Sequence, residues 1–126
     1  MDRVLKVGAS SIPKKVAGSI ELVTRAGGPP ALLPLGDPAV NQAAKAVAIA
    51  RASMVDEGVY LYCQPEYRDD KHSSVVLNVL EASRLRKGQG QEYELTAAKS
   101  TSITALAGAI AGKVRAPIRS PRGATP

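Results

Sequence analysis

Gly36-Asp37-Pro38-Ala39-Val40-Asn41-Gln42-Ala43-Ala44-Lys45-Ala46-Val47-Ala48-Ile49-Ala50-Arg51 is the stretch whose reading decides the fold. Val40, Ala43, Val47, Ala50 and Met54 recur at spacings of three and four, so a helix would place them on one face. Asp37 can accept hydrogen bonds from first-turn amides, and Pro38 suits the first helical position. Most other positions are alanine, which lets another backbone come close. Asn41 and Lys45 stand one turn apart on a different face. This helix carries no catalytic group; it is built to pack and to present an amide and an ammonium.

Working outward, Arg3 to Ala9 reads as a first strand. Ser10 and Ser11 offer caps, and Pro13 starts a helix with the stripe Val16, Ile20, Val23. Ala26-Gly27-Gly28-Pro29-Pro30 stops it. Ala31 to Leu35 is a short buried strand in which Pro34 implies an edge position or an irregular ladder. After the alanine helix, which ends near Asp56-Glu57-Gly58, Val59 to Tyr67 and Ser74 to Leu80 are strands, with Arg68 to Ser73 as the loop. Val59, Leu61 and Cys63 point one way, and Tyr60, Tyr62 and Gln64 the other. The order β-α-β-α-β-β predicts an α+β fold with helices on one face of a small mixed sheet.

The 126 residues carry a net charge of +6, unevenly placed. Residues 1–83 hold nine Lys/Arg and nine Asp/Glu, whereas residues 84–126 hold eight Lys/Arg against Glu92 and Glu94. The excess is therefore C-terminal, and an argument from basic charge to nucleic acid applies best there. The core must be aliphatic, because there is no Phe or Trp and only four Tyr, and so few aromatics argue against an array of base-stacking rings. Cys63 is the sole cysteine, which excludes intrachain disulfides and thiolate metal clusters. No apolar run approaches the roughly 20 residues that span a bilayer. A strand-like segment beginning at Arg3 leaves no room for a signal peptide, so the expectation is a protein of the cytoplasm, nucleoid or nucleus that is not secreted.

Sliding the chain by 90 residues lays Val16-Ala17-Gly18-Ser19-Ile20 over Leu106-Ala107-Gly108-Ala109-Ile110, and Leu5, Ser10, Arg25 and Ala26 over Leu95, Ser100, Arg115 and Ala116. Ile103, Leu106, Ile110 and Val114 make a helical stripe. The domain reading is therefore 3–83 as the main domain, 84–90 as a linker, 91–116 as a partial repeat of the opening strand-helix unit, and 117–126 as a basic Pro/Arg/Gly tail. A lone strand-helix unit cannot bury its own apolar face.

The segments LKVGASSIPKKVAGSI (5–20), GDPAVNQAAKAVAIAR (36–51) and GVYLYCQPEY (58–67) resemble the stage V sporulation protein S family, which is similar in fold to the Alba chromatin proteins. The resemblance covers about residues 3–82. It implies an Alba-like βαβαββ two-layer sandwich, here with an additional C-terminal βα unit and basic tail. It also implies frequent dimerisation, binding of DNA or RNA, and a link to spore formation and cell development. By position, Lys14 and Lys15 match the basic start of the first helix of Alba-type proteins. Asn41 and Lys45 match the polar face of the second helix, and Arg68 and Lys71 the hairpin loop. The chain departs from the strongest binders in its short loop, where Asp69 and Asp70 offset Arg68 and Lys71.

Further phosphate contacts are expected from the C-terminal cations Arg84, Arg86, Lys87, Arg115, Arg119 and Arg122. The expected protein is non-enzymatic, needs no cofactor or metal, and binds nucleic acid with little base specificity, its small-residue helices making a self-contact. The competing expectation is a structural subunit that docks through its extra βα unit and tail into a larger assembly. His72 reads as an exposed turn residue. Cys63 reads as a small buried apolar group, with no base in the sequence to activate it. Arg51 is expected to pair with Asp56 or Glu57.

Overall fold

The computed structural model describes residues 3–71, 73–82 and 93–115. The chain divides into two units, Met1–Arg86 and Lys87–Pro126. The first runs β1 (Val4–Val7), α1 (Pro13–Gly27), β2 (Ala31–Pro34), α2 (Asp37–Met54), a 3-10 turn (Val55–Glu57), β3 (Tyr60–Tyr67) and β4 (Val75–Ala82); the second holds α3 (Ile103–Arg115). The sheet order is β1-β2-β4-β3, with β1 and β2 parallel and the remaining pairs antiparallel. This is the mixed α+β arrangement that the periodicities predict.

Helix α2 forms the centre of the core. Ala39, Ala43, Ala46 and Ala50 are fully buried, and Val47 and Met54 continue their stripe. They pack with Ala17 and Ile20 of α1 and with Val7, Leu32, Leu61, Leu77 and Val79 of the sheet. Val40 is only half-buried, so the buried stripe lies slightly to one side of the expected one. The buried alanines are used inside the unit; the outward side of α2 keeps Ala44, Ala48 and Ile49 for any self-contact.

Both helix starts differ from the expected caps. Helix α2 is capped by Gly36 at φ 95°, a left-handed conformation that favours glycine, and Asp37 is already its first residue. The Ala39 amide donates to the Gly36 carbonyl at 3.1 Å. Asp37 makes no cap hydrogen bond, but its charge lies in the first turn, where the helix dipole favours an anion. Ile12, not a serine, occupies the cap of α1. Ser11 acts one step earlier: its Oγ accepts the Gly8 amide at 2.8 Å, and its own amide donates to the Gly8 carbonyl at 3.1 Å. Pro34 ends β2 in the sheet interior, where the ladder to β4, paired at Ala31 and Leu32, has already stopped.

Helices α1 and α2 run parallel. Near their starts, Gln42 Nε2 donates to the Ser11 carbonyl at 2.9 Å. Near their ends, Ser53 Oγ donates to Glu21 Oε1 at 3.1 Å, and Arg25 Nε and Nη2 grip both Glu57 oxygens at 3.1 and 2.6 Å. Arg25 Nη2 also reaches Glu21 Oε1 at 3.2 Å. Glu57 is therefore held by an arginine 32 residues away rather than by Arg51, because parallel packing brings the end of α1 to the 3-10 turn.

In the second unit, α3 begins 90 residues after α1 and copies its entry. The Ala98 amide donates to Thr101 Oγ1 at 2.7 Å and the Thr101 amide to the Ala98 carbonyl at 3.0 Å, repeating the Gly8–Ser11 pair at the same offset. Leu106 to Ser102 likewise repeats Val16 to Ile12. The helix of the expected repeat is present; the strand is not, since residues 93–98 are irregular. β1 is a strand because β2 supplies its ladder; among the described residues none pairs with 93–98.

Two outcomes follow from this packing. Ala43→Leu, which forces a side chain into the seam, lowers unfolding free energy by about 1–3 kcal/mol, whereas Ala44→Leu on the exposed side of the same helix stays near neutral in chemical denaturation. Hydrogen bonding from Arg25 holds the Glu57 carboxyl below its ordinary value of 4.5. A carboxyl depressed in the fold stabilises it above the ordinary value, and that contribution vanishes as pH falls through the lower, folded value. Melting curves of the parent and Glu57→Gln therefore differ at neutral pH and converge in acid, by a modest amount because both partners are exposed.

Candidate nucleic-acid interface

Parallel β1 and β2 both end where their following helices begin, so the loops Gly8–Ile12 and Leu35–Gly36 lie together; the Leu35 amide donates to the Val7 carbonyl at 2.8 Å. β3 is antiparallel to β4, which is antiparallel to β2, so β3 finishes at that same end. The hairpin between β3 and β4 projects from there. Lys14, Lys15, Asn41, Arg68 and Lys71 are thereby brought to one end of the first unit, whereas Lys45 stands exposed at the middle of α2, away from that end.

Each is placed for a local reason. Pro13 opens α1, so Lys14 and Lys15 fall in its first turn with exposed side chains, the Lys15 amide donating to the Ile12 carbonyl at 2.9 Å. Gln42 Nε2 donates to the Ser11 carbonyl, and the buried alanine face of α2 leaves Asn41 and Lys45 exposed. The hairpin is closed by the Arg68 amide on the Ser74 carbonyl at 3.0 Å. Across the loop, Ser73 donates its amide and Oγ to the Asp69 carboxylate at 3.3 and 2.9 Å. Asp69 is thus engaged in shaping the loop that carries Arg68 and Lys71.

Four cations, Lys14, Lys15, Arg68 and Lys71, meet three carboxylates here, Asp37, Asp69 and Asp70, so the end is positive although residues 1–83 as a whole are neutral. The carboxylates Glu21 and Glu57 are occupied by Arg25 at the opposite end of the helices. An array of exposed ammonium and guanidinium groups beside two helix starts suits a polyanion with repeated phosphates.

The remaining expected contacts fall elsewhere. Arg115 is exposed in the last turn of α3, in the second unit, where Lys113 Nζ stands 4.4 Å from the centroid of the Tyr93 ring. Arg84, Arg86, Lys87, Arg119 and Arg122, like His72, lie outside the described residues. Cys63 is half-buried against the core, and burial pushes its thiol up, away from the reactive thiolate. Sequence reasoning passed over Gln42, because its role depends on a loop 31 residues earlier in the chain. A shallow cleft of about 360 Å³ opens at the other end of the sheet, between Arg3, Pro29, Gln64 and Leu80. Among the described residues no helix is long and apolar enough to cross a membrane.

A mixed sheet in the order β1-β2-β4-β3, with two parallel helices over it, is an Alba-like α+β fold. The family model for stage V sporulation protein S matches residues 3–81, most of the first unit. The chain belongs to the stage V sporulation protein S family.

Gln42→Leu is expected to lower stability by about 1–3 kcal/mol through loss of the partner of the Ser11 carbonyl, as measured by chemical denaturation.

Proposed function

We propose that this protein is a non-enzymatic nucleic-acid-binding protein of low base specificity, working with DNA or RNA in the cytoplasm, nucleoid or nucleus. The observation that carries the reading is that Lys14, Lys15, Arg68 and Lys71 share one end of the first unit with Asn41, and that Lys45 continues the exposed side of α2 from there. None of these elements offers a helix face of hydrogen-bonding side chains suited to reading base edges, so phosphates supply the affinity. The C-terminal cations Arg84, Arg86, Lys87, Arg115, Arg119 and Arg122 add to the same electrostatic term. Dimerisation belongs to this reading, with the outward Ala44, Ala48 and Ile49 of α2 as the small-residue face.

Five neutralised phosphates correspond to a slope of about −4.5 in log affinity against log salt, before any contribution from the tail. Removing two cations with Lys14→Ala/Lys15→Ala makes the slope shallower by about 2 and weakens binding at every sequence alike. Fluorescence anisotropy with labelled oligonucleotides across a salt series measures this. Absence of binding at low salt, or an affinity insensitive to salt, refutes it.

The second reading, a structural subunit of a larger protein or ribonucleoprotein assembly, is favoured by one observation. Ile110 is 51% exposed and Val114 57%, while the residues 90 positions earlier, Ile20 and Thr24, are 0% and 9% exposed in α1. A helix that repeats α1 without burying the matching face suits a partner. On this reading Ile110→Asp shifts the chain out of its assembly in a sedimentation gradient and leaves oligonucleotide affinity unchanged.

A further inference from the structure

Helices α1 and α2 both pack on one side of the sheet, against Val7, Leu32, Leu61, Leu77 and Val79. Alternation along the strands sends the intervening residues to the other side. That open side is largely apolar: Leu33, Val76 and Leu80 are half-buried there, and Val4 and Tyr62 are 49% and 48% exposed. Strand pairing sets these residues in rows that cross the sheet. Lys6 pairs with Leu33, and Val76 with Glu66. The Ala31–Asn78 pair, carried on by two residues, puts Leu33 opposite Val76. One row therefore runs Lys6, Leu33, Val76, Glu66, with a cation on one edge strand and a carboxylate on the other. Asn78 Nδ2 donates to Glu66 Oε1 at 2.8 Å and fixes that carboxylate on the open side. Two rows away, toward the start of β1, Leu80 pairs with Tyr62 on the β3 edge. At the β1 edge of that level lies the shallow cleft, lined there by Arg3, Pro29 and Pro30.

We infer that this open face binds a second copy of the chain, about a two-fold axis that runs along the strands between β2 and β4. Such an axis keeps the strand direction and reverses the order of strands, so every row faces itself end for end. Lys6 of each copy then meets Glu66 of the other. Tyr62 of each copy comes over the cleft of the other, beside the Arg3 guanidinium. Leu33, Val76 and Leu80 fill the middle, as between two aligned sheets about 10 Å apart. A two-fold axis across the strands at the Lys6 row would set Lys6 on Lys6 and Glu66 on Glu66, so charge selects the first arrangement. Four strands about 4.8 Å apart and about 20 Å long present roughly 400 Å² in projection. That is small beside a standard interface of about 800 Å² per partner, so the dimer is expected to dissociate on dilution. The face is separate from the outward side of α2, and the inference does not depend on the proposed function. Because the strand direction is shared, both basic ends emerge on the same side of the pair.

Sedimentation velocity of the nuclease-treated full chain over a dilution series tests this. The parent is expected to pass from dimer to monomer. Lys6→Glu and Glu66→Lys each set like charges face to face at both symmetric contacts and weaken association about tenfold or more. Tyr62→Ala does the same by emptying the cleft. The double exchange Lys6→Glu/Glu66→Lys restores association, which a loss through misfolding would not do. In the parent, carbodiimide joins Lys6 to Glu66 without a spacer, and mixing isotope-labelled with unlabelled chains identifies bonds between copies by mass spectrometry. Within one copy the two residues are three strand spacings apart, about 14 Å, too far for a direct amide. A parent that stays monomeric at its highest concentration overturns the inference. So does a dimer that resists both single reversals, or that Ile49→Asp on α2 dissolves while they do not. The inference also falls if the double exchange fails to restore association in a chain with parental circular dichroism, or if the cross-links between copies lack the Lys6–Glu66 pair.

Discussion

A helix face with almost no side chain governs the first unit. Ala39, Ala43, Ala46 and Ala50 each vanish completely from solvent, yet each contributes little apolar area. Their importance is steric. They let α2 settle against α1 and the sheet, and the larger groups around them, Ile20, Leu32, Met54 and Leu61, then fill the interior. Any larger residue at an alanine position would hold the layers apart and open gaps around those four.

The basic end is a consequence of that packing. Because both crossover helices return antiparallel to parallel strands, they lie parallel to each other, and both positive helix ends emerge beside the ends of β1 and β2. The antiparallel β4 then returns the chain so that β3 finishes at the same place. Residues 1–83, with balanced formal charge, are thereby polarised. Four of their cations are exposed at one end, while at the other Arg25 draws Glu21 and Glu57 into a local cluster.

The second unit shows how far a local signal reaches without its tertiary setting. The Ala98–Thr101 turn and the start of α3 reproduce the Gly8–Ser11 turn and the start of α1, because turn closure and helix entry need only neighbours a few residues away. The strand does not reappear, because a strand requires a ladder. The stripe of α3 is likewise intact as a pattern and exposed as a surface.

From sequence alone, the order of elements in the first unit, the helix spans, the buried parity of β3 and the candidate cations were all readable. These follow from periodicity, from proline and glycine positions and from the resemblance in residues 5–67, each carried by near neighbours in the chain. Only the tertiary structure decided which partners met. Glu57 went to Arg25 rather than Arg51, Gln42 was drawn to Ser11, and Gly36 displaced Asp37 as the cap. It also decided that Lys14, Lys15, Arg68 and Lys71 share one end. Such pairings depend on the handedness of crossovers and the order of strands in the sheet, which periodicity along a single segment does not encode.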